Sequence, residues 1–421
     1  MRWSASLWPD MRVYLASLLA SFFLLAGVQA QDMPSGVSAH LDGGQHLLSQ
    51  LTPLAANPAG NGVDIPPWRG GVRMPPPAAA AGSERVSPYE SDQSILVING
   101  DNWQQYRQFL ATGLQSLFQQ NPDFFEISVY PTRRSAAAPD AVYDAIYRNA
   151  VRVQMDRGLL YGQFAQGGII FPLAQTGQEL VWNHLSRWRG YGRTAVVEDW
   201  QPSASGWRRL RWQLDEKIPF YSHLHRPQAT EPIFTRDLVA NGFSMSEIAN
   251  TRSGVKRDER GAYPAEWQAN FPASEDRDMF SANPADYVWT LLGSREMYVP
   301  YNQNLQQLPE LIPGRHPSMA HVRFEKHRVR LVDGVLRKGA HGLYQKRVFY
   351  IDEDSSAILM ADLYDGDGHL WRFNLALPVC WYELPAVVSV AELSIDLLAG
   401  SYAAIGWPVT GESPKWLVLE Q

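Results

Sequence analysis

Along much of the chain, apolar side chains recur at every second position. Leu210, Trp212 and Leu214 alternate with Arg211, Gln213 and Asp215, as in an antiparallel strand that buries one face. The runs Arg323–Val332, Leu343–Ile351, Ala357–Tyr364 and His369–Leu377 are each of strand length. Turn chemistry separates them at Asp333-Gly334, Asp352-Glu353-Asp354-Ser355 and Asp365-Gly366-Asp367-Gly368, which predicts a meander of sequential hairpins. Earlier in the chain the period lengthens. Trp103, Tyr106, Leu110, Gly113, Leu114, Leu117 and Phe118 fall at helical spacing, with Asp101 or Asn102 as N-cap and Asn121-Pro122 as the stop. Pro139-Asp140 opens a second helix that carries Val142, Ile146, Asn149, Ala150 and Val153 and ends at Gly158. A third runs from Gly177 to Trp188, with Leu180, Val181, His184, Leu185 and Trp188 on one stripe. Long strands in close order with few helices predict an α+β fold. Its centre is a strongly curved antiparallel sheet, an open half-barrel with helices packed over the concave face.

The first residues follow a different rule. Arg2 and Arg12 lead into an almost wholly apolar run from Val13 to Val28, followed by the small-residue site Val28-Gln29-Ala30. That is the order of a secretory signal peptide over residues 1–30, with Gln31 the first mature residue. The run of 16 residues is short of the roughly twenty that span a membrane. No cysteine lies near the cut, so a lipid anchor is not expected, and the mature chain is expected to work outside the cytoplasm. Residues 31–92, rich in Pro, Gly, Ala and Ser, read as an extended arm with Leu54 and Trp68 as apolar anchors. Residues 93–421 then form a single α+β domain.

Charge and chemistry narrow the function. Without residues 1–30 the chain holds 35 basic and 42 acidic residues; with no basic cluster beyond Arg208, Arg209 and Arg211, this argues against nucleic acid as a partner. Cys380, the lone cysteine, sits between Val379 and Trp381 and reads as a small buried hydrophobe. His223 and His225 would share one face of a strand, but a third metal ligand at a recognisable spacing is missing. The acidic groups Asp352-Glu353-Asp354 and Asp365/Asp367 could hold Ca²⁺, but they fall where hairpin turns are expected and turn propensity alone explains them, so no metal is expected. The Gly-x-Ser-x-Gly, His-Glu-x-x-His, phosphate-loop and dinucleotide signatures are absent. No catalytic residue and no cofactor is therefore expected. Paired carboxylates are set in space rather than along the chain, so an envelope hydrolase remains a second reading and a structural adaptor of the envelope a third.

Several stretches carry a family likeness. They are Leu51-Thr52-Pro53-Leu54, Ala59-Gly60-Asn61, Pro67-Trp68-Arg69-Gly70-Gly71 and Val129-Tyr130-Pro131-Thr132-Arg133-Arg134-Ser135-Ala136. They continue with Trp182-Asn183-His184, Asp278-Met279-Phe280, Arg295 to Asn302 and Lys346 to Ser355. Together they resemble the proteobacterial domain-of-unknown-function family described as outer-membrane lipoprotein-sorting-like. The resemblance runs from Leu51 to Trp371. Two segments depart from it: Ser244 to Glu275 lacks an expected Arg-rich, Tyr-Asp-containing stretch, and the tail after Leu375 does not match. The resemblance implies a periplasmic protein shaped like the lipoprotein carriers. It further implies an outer-membrane partner and a resistance-nodulation-division type exporter in the inner membrane. It supplies no catalytic or ligand residues.

The pattern does suggest residues for a hydrophobic guest, a lipid, acyl or terpenoid-like molecule. Trp182, Trp212, Trp289, Trp371, Tyr298 and Tyr350 offer large rigid surfaces beside His184, and each buried methylene of a guest contributes about 0.8 kcal/mol. The same aromatics also serve simply to fill a core. Alternation from Arg323 places Glu325 and His327 with Val329 and Leu331 on one strand face, opposite Lys326, Arg328 and Arg330. That carboxylate and imidazole either hold a polar head group or form a satisfied pair. Arg133 and Arg134 offer forks for a phosphate or carboxylate, or brace the fold.

Overall fold

A computed structural model describes residues 49–77, 86–150, 154–156, 159–161, 167–204, 206–221, 232–240, 242–250, 254–261, 271–305, 307, 311 and 318–418. The expected signal peptide, His223, His225 and Val153 lie outside the described residues. The strands are β1 (Leu96–Ile98), β2 (Ile127–Val129), β3 (Gln154–Asp156), β4 (Leu159–Tyr161), β5 (Gly192–Ser203), β6 (Gly206–Lys217), β7 (Pro232–Ala240), β8 (Phe243–Asn250), β9 (Gly254–Arg260), β10 (Tyr287–Pro300), β11 (Arg323–Leu336), β12 (Lys346–Asp352), β13 (Ile358–Tyr364), β14 (Leu370–Trp381), β15 (Ala386–Asp396), β16 (Ser401–Pro408) and β17 (Lys415–Trp416). The α-helices are α1 (Thr112–Gln120), α2 (Asp140–Asn149) and α3 (Gly177–Ser186).

Fifteen strands make one sheet in the order β1-β2-β11-β12-β13-β14-β15-β16-β5-β6-β7-β8-β9, with β10 also on β11 and β17 on β5. Every pairing is antiparallel except the short β2–β11 contact. Among the described residues, β9 is paired with neither β1 nor β10, so the sheet is curved and unclosed. Register shifts in the β10–β11, β12–β13, β13–β14, β14–β15 and β16–β5 ladders supply the bends, since an extra residue on one strand increases local twist.

Strand β11 runs through Asp333-Gly334, which the sequence pattern reads as a turn. Gly334 stands directly opposite Trp289 of β10, and an added Cβ there would run into the indole ring. The glycine admits an aromatic ring against the strand.

The predicted helix from Trp103 to Phe118 is two pieces, a 3₁₀ segment Trp103–Phe109 and then α1. Leu110 is extended between them. The sheet causes the break: Thr112 N donates to the Tyr350 hydroxyl at 3.2 Å and Gly113 N to Asp362 Oδ1 at 2.9 Å. These contacts take up first-turn amides that need a partner, while Gly113 lets the helix sit on Phe373. Asn102 is no side-chain cap; its Oδ1 accepts from Asn99 N and its Nδ2 donates to Val97 O. Helix α2 stops at Asn149, whose side chain donates to Ile169 O at 3.1 Å. Helix α3 begins with a Thr176/Glu179 capping box and ends at Ser186, because Arg187 is extended and folds its guanidinium back onto His184 O at 2.5 Å.

Strands β12 to β15 are buried on both faces. Tyr350 faces α1, while its neighbour Phe349 packs on the other side against Phe280 and Trp289. The large core lies here, and a second, separate apolar cluster of Val197, Leu210, Trp212, Leu214, Leu238, Ala240, Phe243 and Met245 covers the inward face of β5–β8. Residues 49–77 lie against the body, with Thr52, Leu54, Ala56 and Ile65 buried and Trp68 Nε1 donating to Ala136 O at 3.1 Å.

Candidate functional site

The inward face of β5–β9 carries a row of charge where strand alternation would supply apolar side chains. Arg193 stands opposite Glu216, Glu216 opposite Arg236, Arg236 opposite Glu247 and Glu247 opposite Arg257. The ion pairs close at 3.4 Å (Arg193–Glu216), 2.8 Å (Arg236–Glu216), 3.0 Å (Arg236–Glu247) and 2.8 Å (Arg257–Glu247). Glu216, Arg236 and Glu247 are buried. Burial alone would raise the Glu216 carboxyl, but Arg236, Arg189 and Arg193 bring it down to about 2.

The segment after α3 and residues 274–279 close over this row. Asp278, in left-handed backbone conformation at φ 52°, pairs with Arg187 and lies 3.6 Å from Arg189 and 3.9 Å from Arg236. Burial would raise its carboxyl, yet the arginines hold it far below the usual range. His184 supports the turn from behind. Burial and Arg187 depress its imidazole, so it is neutral; Nδ1 accepts from Ile358 N at 3.1 Å and Nε2–H donates to Asp278 O at 2.8 Å. Arg277 pairs with Asp199 and lies 5.4 Å from the centre of the Trp212 ring. Asp199 also accepts from Trp212 Nε1 at 2.8 Å and from Gly406 N at 2.9 Å.

Between these charges and β15 is a pocket with about 500 Å³ of unfilled space, part of it open to solvent. It is a recess for a group of a few heavy atoms rather than a chamber for a whole acyl chain. Val197, Leu214, Leu238, Val388 and Val390 form its apolar wall; Arg189, Arg193, Arg236, Arg277, Glu216, Asp278, Ser389 and Glu392 form the polar one. The cations are under-used. Among the described residues, Arg189 Nε and Nη2, Arg193 Nε and Arg277 Nε are buried with no hydrogen-bond acceptor, a costly state for a charged donor. Glu392 does not relieve it: burial, and then Asp278, push its carboxyl up to about 8, so it is mostly protonated at neutral pH.

The sequence-predicted site residues fall elsewhere. Arg133, Arg134, Glu325 and His327 come together at a second ionic centre. His327 Nδ1 lies 3.0 Å from Asp352 and Nε2 3.4 Å from Glu325, with the Tyr301 ring 4.1 Å from the imidazole, centre to centre. Burial would depress the imidazole, but Asp352 and Glu325 outweigh it and hold it up to about 10. Arg134 forks onto Asp354 at 2.6 and 2.8 Å and donates to Asn57 O and Pro58 O of the docked arm. Arg133 pairs with Asp92 at 2.7 Å, and its backbone N donates to Glu325 at 2.5 Å.

His327, Asp352 and Asp354 have the spacing of a metal-ligand set, but protein groups already engage them: Asp352 accepts from Tyr301 and Ser355, and Asp354 from Arg134. Half-buried Asp365 similarly accepts from Asp367 N and His369 N within its own turn.

The aromatics are dispersed. Trp182 is wholly buried in the main core, Trp289 packs on Phe349 and Phe280, and Tyr350 donates to Asp362 at 2.7 Å. Tyr298 meets Phe109 and Tyr106, and half-buried Trp371 donates to Asp396 at 2.9 Å under Arg372. Trp212 and His184 touch residues that line the pocket. A signal for the missed residues lay in the sequence: one further step of the Leu210-Trp212-Leu214 alternation puts Glu216 inward. Arg189 and Asp278 carry no such periodic mark.

Comparison with known proteins agrees with the earlier resemblance and extends it. The family model described as "Protein of unknown function (DUF1329)" matches residues 97–239 and 255–419. The tail after Leu375, expected to fall outside, is therefore matched, and of Ser244 to Glu275 only the part before residue 255 is not. The uncharacterized protein PA3922 of Pseudomonas aeruginosa is 30% identical over 92% of either chain. Solved structures with partial likeness include a putative outer membrane lipoprotein-sorting protein domain from Vibrio parahaemolyticus (10% identity, TM-score 0.38, 58% of this chain and 94% of that one). Others are a DUF1329 family protein from Desulfovibrio piger (11%, 0.36, 55% and 88%) and a LolA superfamily protein from Nitrosomonas europaea (11%, 0.35, 59% and 96%). Matched by the family model over most of its length, and by a relative along nearly all of it, the chain belongs to the DUF1329 family.

Proposed function

We propose that this protein is a non-catalytic carrier or accessory protein of the periplasm that binds a hydrophobic molecule within the curve of its sheet. Residues 1–30 would be the export signal, and the cargo would pass between an outer-membrane protein and an inner-membrane exporter. One observation carries the reading: the pocket lies on the seam between two separate apolar clusters. Val197, Leu214 and Leu238 belong to one and Val388 to the other. A sheet whose ends are unpaired can part along such a seam without breaking a strand ladder, and the apolar wall uncovered there would receive a chain at about 25 cal/mol per Å² buried. In the described conformation the seam is nearly shut, so binding includes its opening.

The test is gentle extraction and mass spectrometry of the full protein purified from its own periplasm, alongside uptake of a fluorescent lipid. Co-purified lipid and saturable uptake are the expected results. Absence of both overturns the proposal.

A further inference from the structure

The pocket's charge points to what it selects, an inference that rests on the carrier reading. We propose that the recess takes the anionic head, a carboxylate or a phosphate, of an amphiphilic ligand, with Arg189, Arg193 and Arg277 as its donors. Three observations converge. Four arginines line the recess, and together with Arg187 and Arg257 these six cations share four carboxylates, Glu216, Asp278, Glu247 and Asp199. Arg189, only 2% exposed, stays at 3.7 and 3.6 Å from Glu216 and Asp278, beyond a hydrogen bond, so Nε and Nη2 are unspent. Its Nη1 is anchored on Leu185 O at 3.1 Å, which fixes the fork without consuming those two donors.

The third observation is the surroundings. Val197, Leu214 and Leu238 stand beside the guanidinium groups, so a head seated on the arginines leaves its first carbons against the apolar cluster. Glu392 faces the same space, with no ion-pair partner among the described residues; burial raises its carboxyl, so it adds a neutral hydrogen-bond donor instead of a competing charge. An oxyanion accepts from two or three N–H groups at once, and such charge-assisted bonds are the strong ones.

The experiment uses the full-length mature protein and displacement of a fluorescent fatty acid by palmitate, hexadecyl phosphate, hexadecanol, palmitate methyl ester and inorganic phosphate. Palmitate or hexadecyl phosphate should compete at least tenfold better than the alcohol and the ester, and whichever acid is stronger names the head. Arg189→Met should reduce that preference to less than threefold, with thermal unfolding followed in parallel. Equal competition by acid and alcohol overturns the head-group assignment while leaving the carrier reading in place. No competition by any long-chain compound overturns both. Inorganic phosphate competing as well as hexadecyl phosphate overturns the assignment to an amphiphile. Since acid and alcohol are compared on the unmodified protein, the result stands even if Arg189→Met does not fold.

Discussion

Arg236 of β7 and Glu216 of β6 meet across the strand pair at 2.8 Å, both buried on the inward face of the sheet. Removing one partner from such a pair leaves an uncompensated charge, at a cost of about 3–5 kcal/mol. Arg236→Met should therefore lower the urea midpoint substantially, since it strips a cation from Glu216 and Glu247 together. The same change in a Glu216→Gln, Glu247→Gln background should lose much less. If the single and triple variants are equally destabilised, the row contributes through packing rather than charge.

Gly334→Ala should destabilise by about 1–3 kcal/mol, the usual range for forcing atoms into a filled core. The added methyl enters the volume of Trp289, which is wedged between Phe280, Tyr287 and Phe349. Near-ultraviolet circular dichroism should report the displaced indole. A variant with native melting temperature and an unchanged aromatic spectrum would contradict the close approach.

Arg134 is the clasp of the docked arm. Its guanidinium joins Asp354 to the carbonyls of Asn57 and Pro58, so Arg134→Ala should make the chain between Leu51 and Pro67 susceptible to limited proteolysis while the sheet stays folded. Arg134→Lys should fail to rescue it, because an ammonium is a point charge and cannot span the carboxylate and two carbonyls with a planar fork. Protection restored by lysine would reduce Arg134 to a simple counter-charge.

The curved sheet was legible because Leu210-Trp212-Leu214 and the runs after Arg323 have period two, which only strands sustain. What the pattern missed lay in the meeting of distant segments. Gly334 reads as a turn until Trp289 is known to stand opposite, and the helix break at Leu110 depends on Tyr350 and Asp362, more than two hundred residues away in sequence. Aromatic bulk drew the predicted ligand site toward Trp289 and Trp371, which fill or rim the core. The pocket instead gathers Arg189, Arg236, Asp278 and Glu392 from four separate parts of the chain. Register across β5–β9 decides which charges meet, and composition carries no trace of register.

The buried pair His327–Asp352 gives a pH prediction whose sign can be fixed. The imidazole is held up to about 10 in the folded chain, against about 6.5 when unfolded. Its contribution is therefore complete below about pH 6.5 and lost as pH rises through about 10, on the order of 5 kcal/mol in all. Glu392 acts in a lower window: with its carboxyl raised to about 8, its stabilising effect is complete below about 4.5 and lost as pH rises through about 8. The two windows overlap near neutrality, so the measurement belongs in a Glu392→Gln background. There, stability from urea unfolding should fall between pH 7 and 9.5, before buried tyrosines such as Tyr301, themselves raised by burial, begin to ionise. Adding His327→Gln should lower stability at pH 7 and flatten that slope. A slope unchanged by His327→Gln would mean that the imidazole is neutral between its two carboxylates.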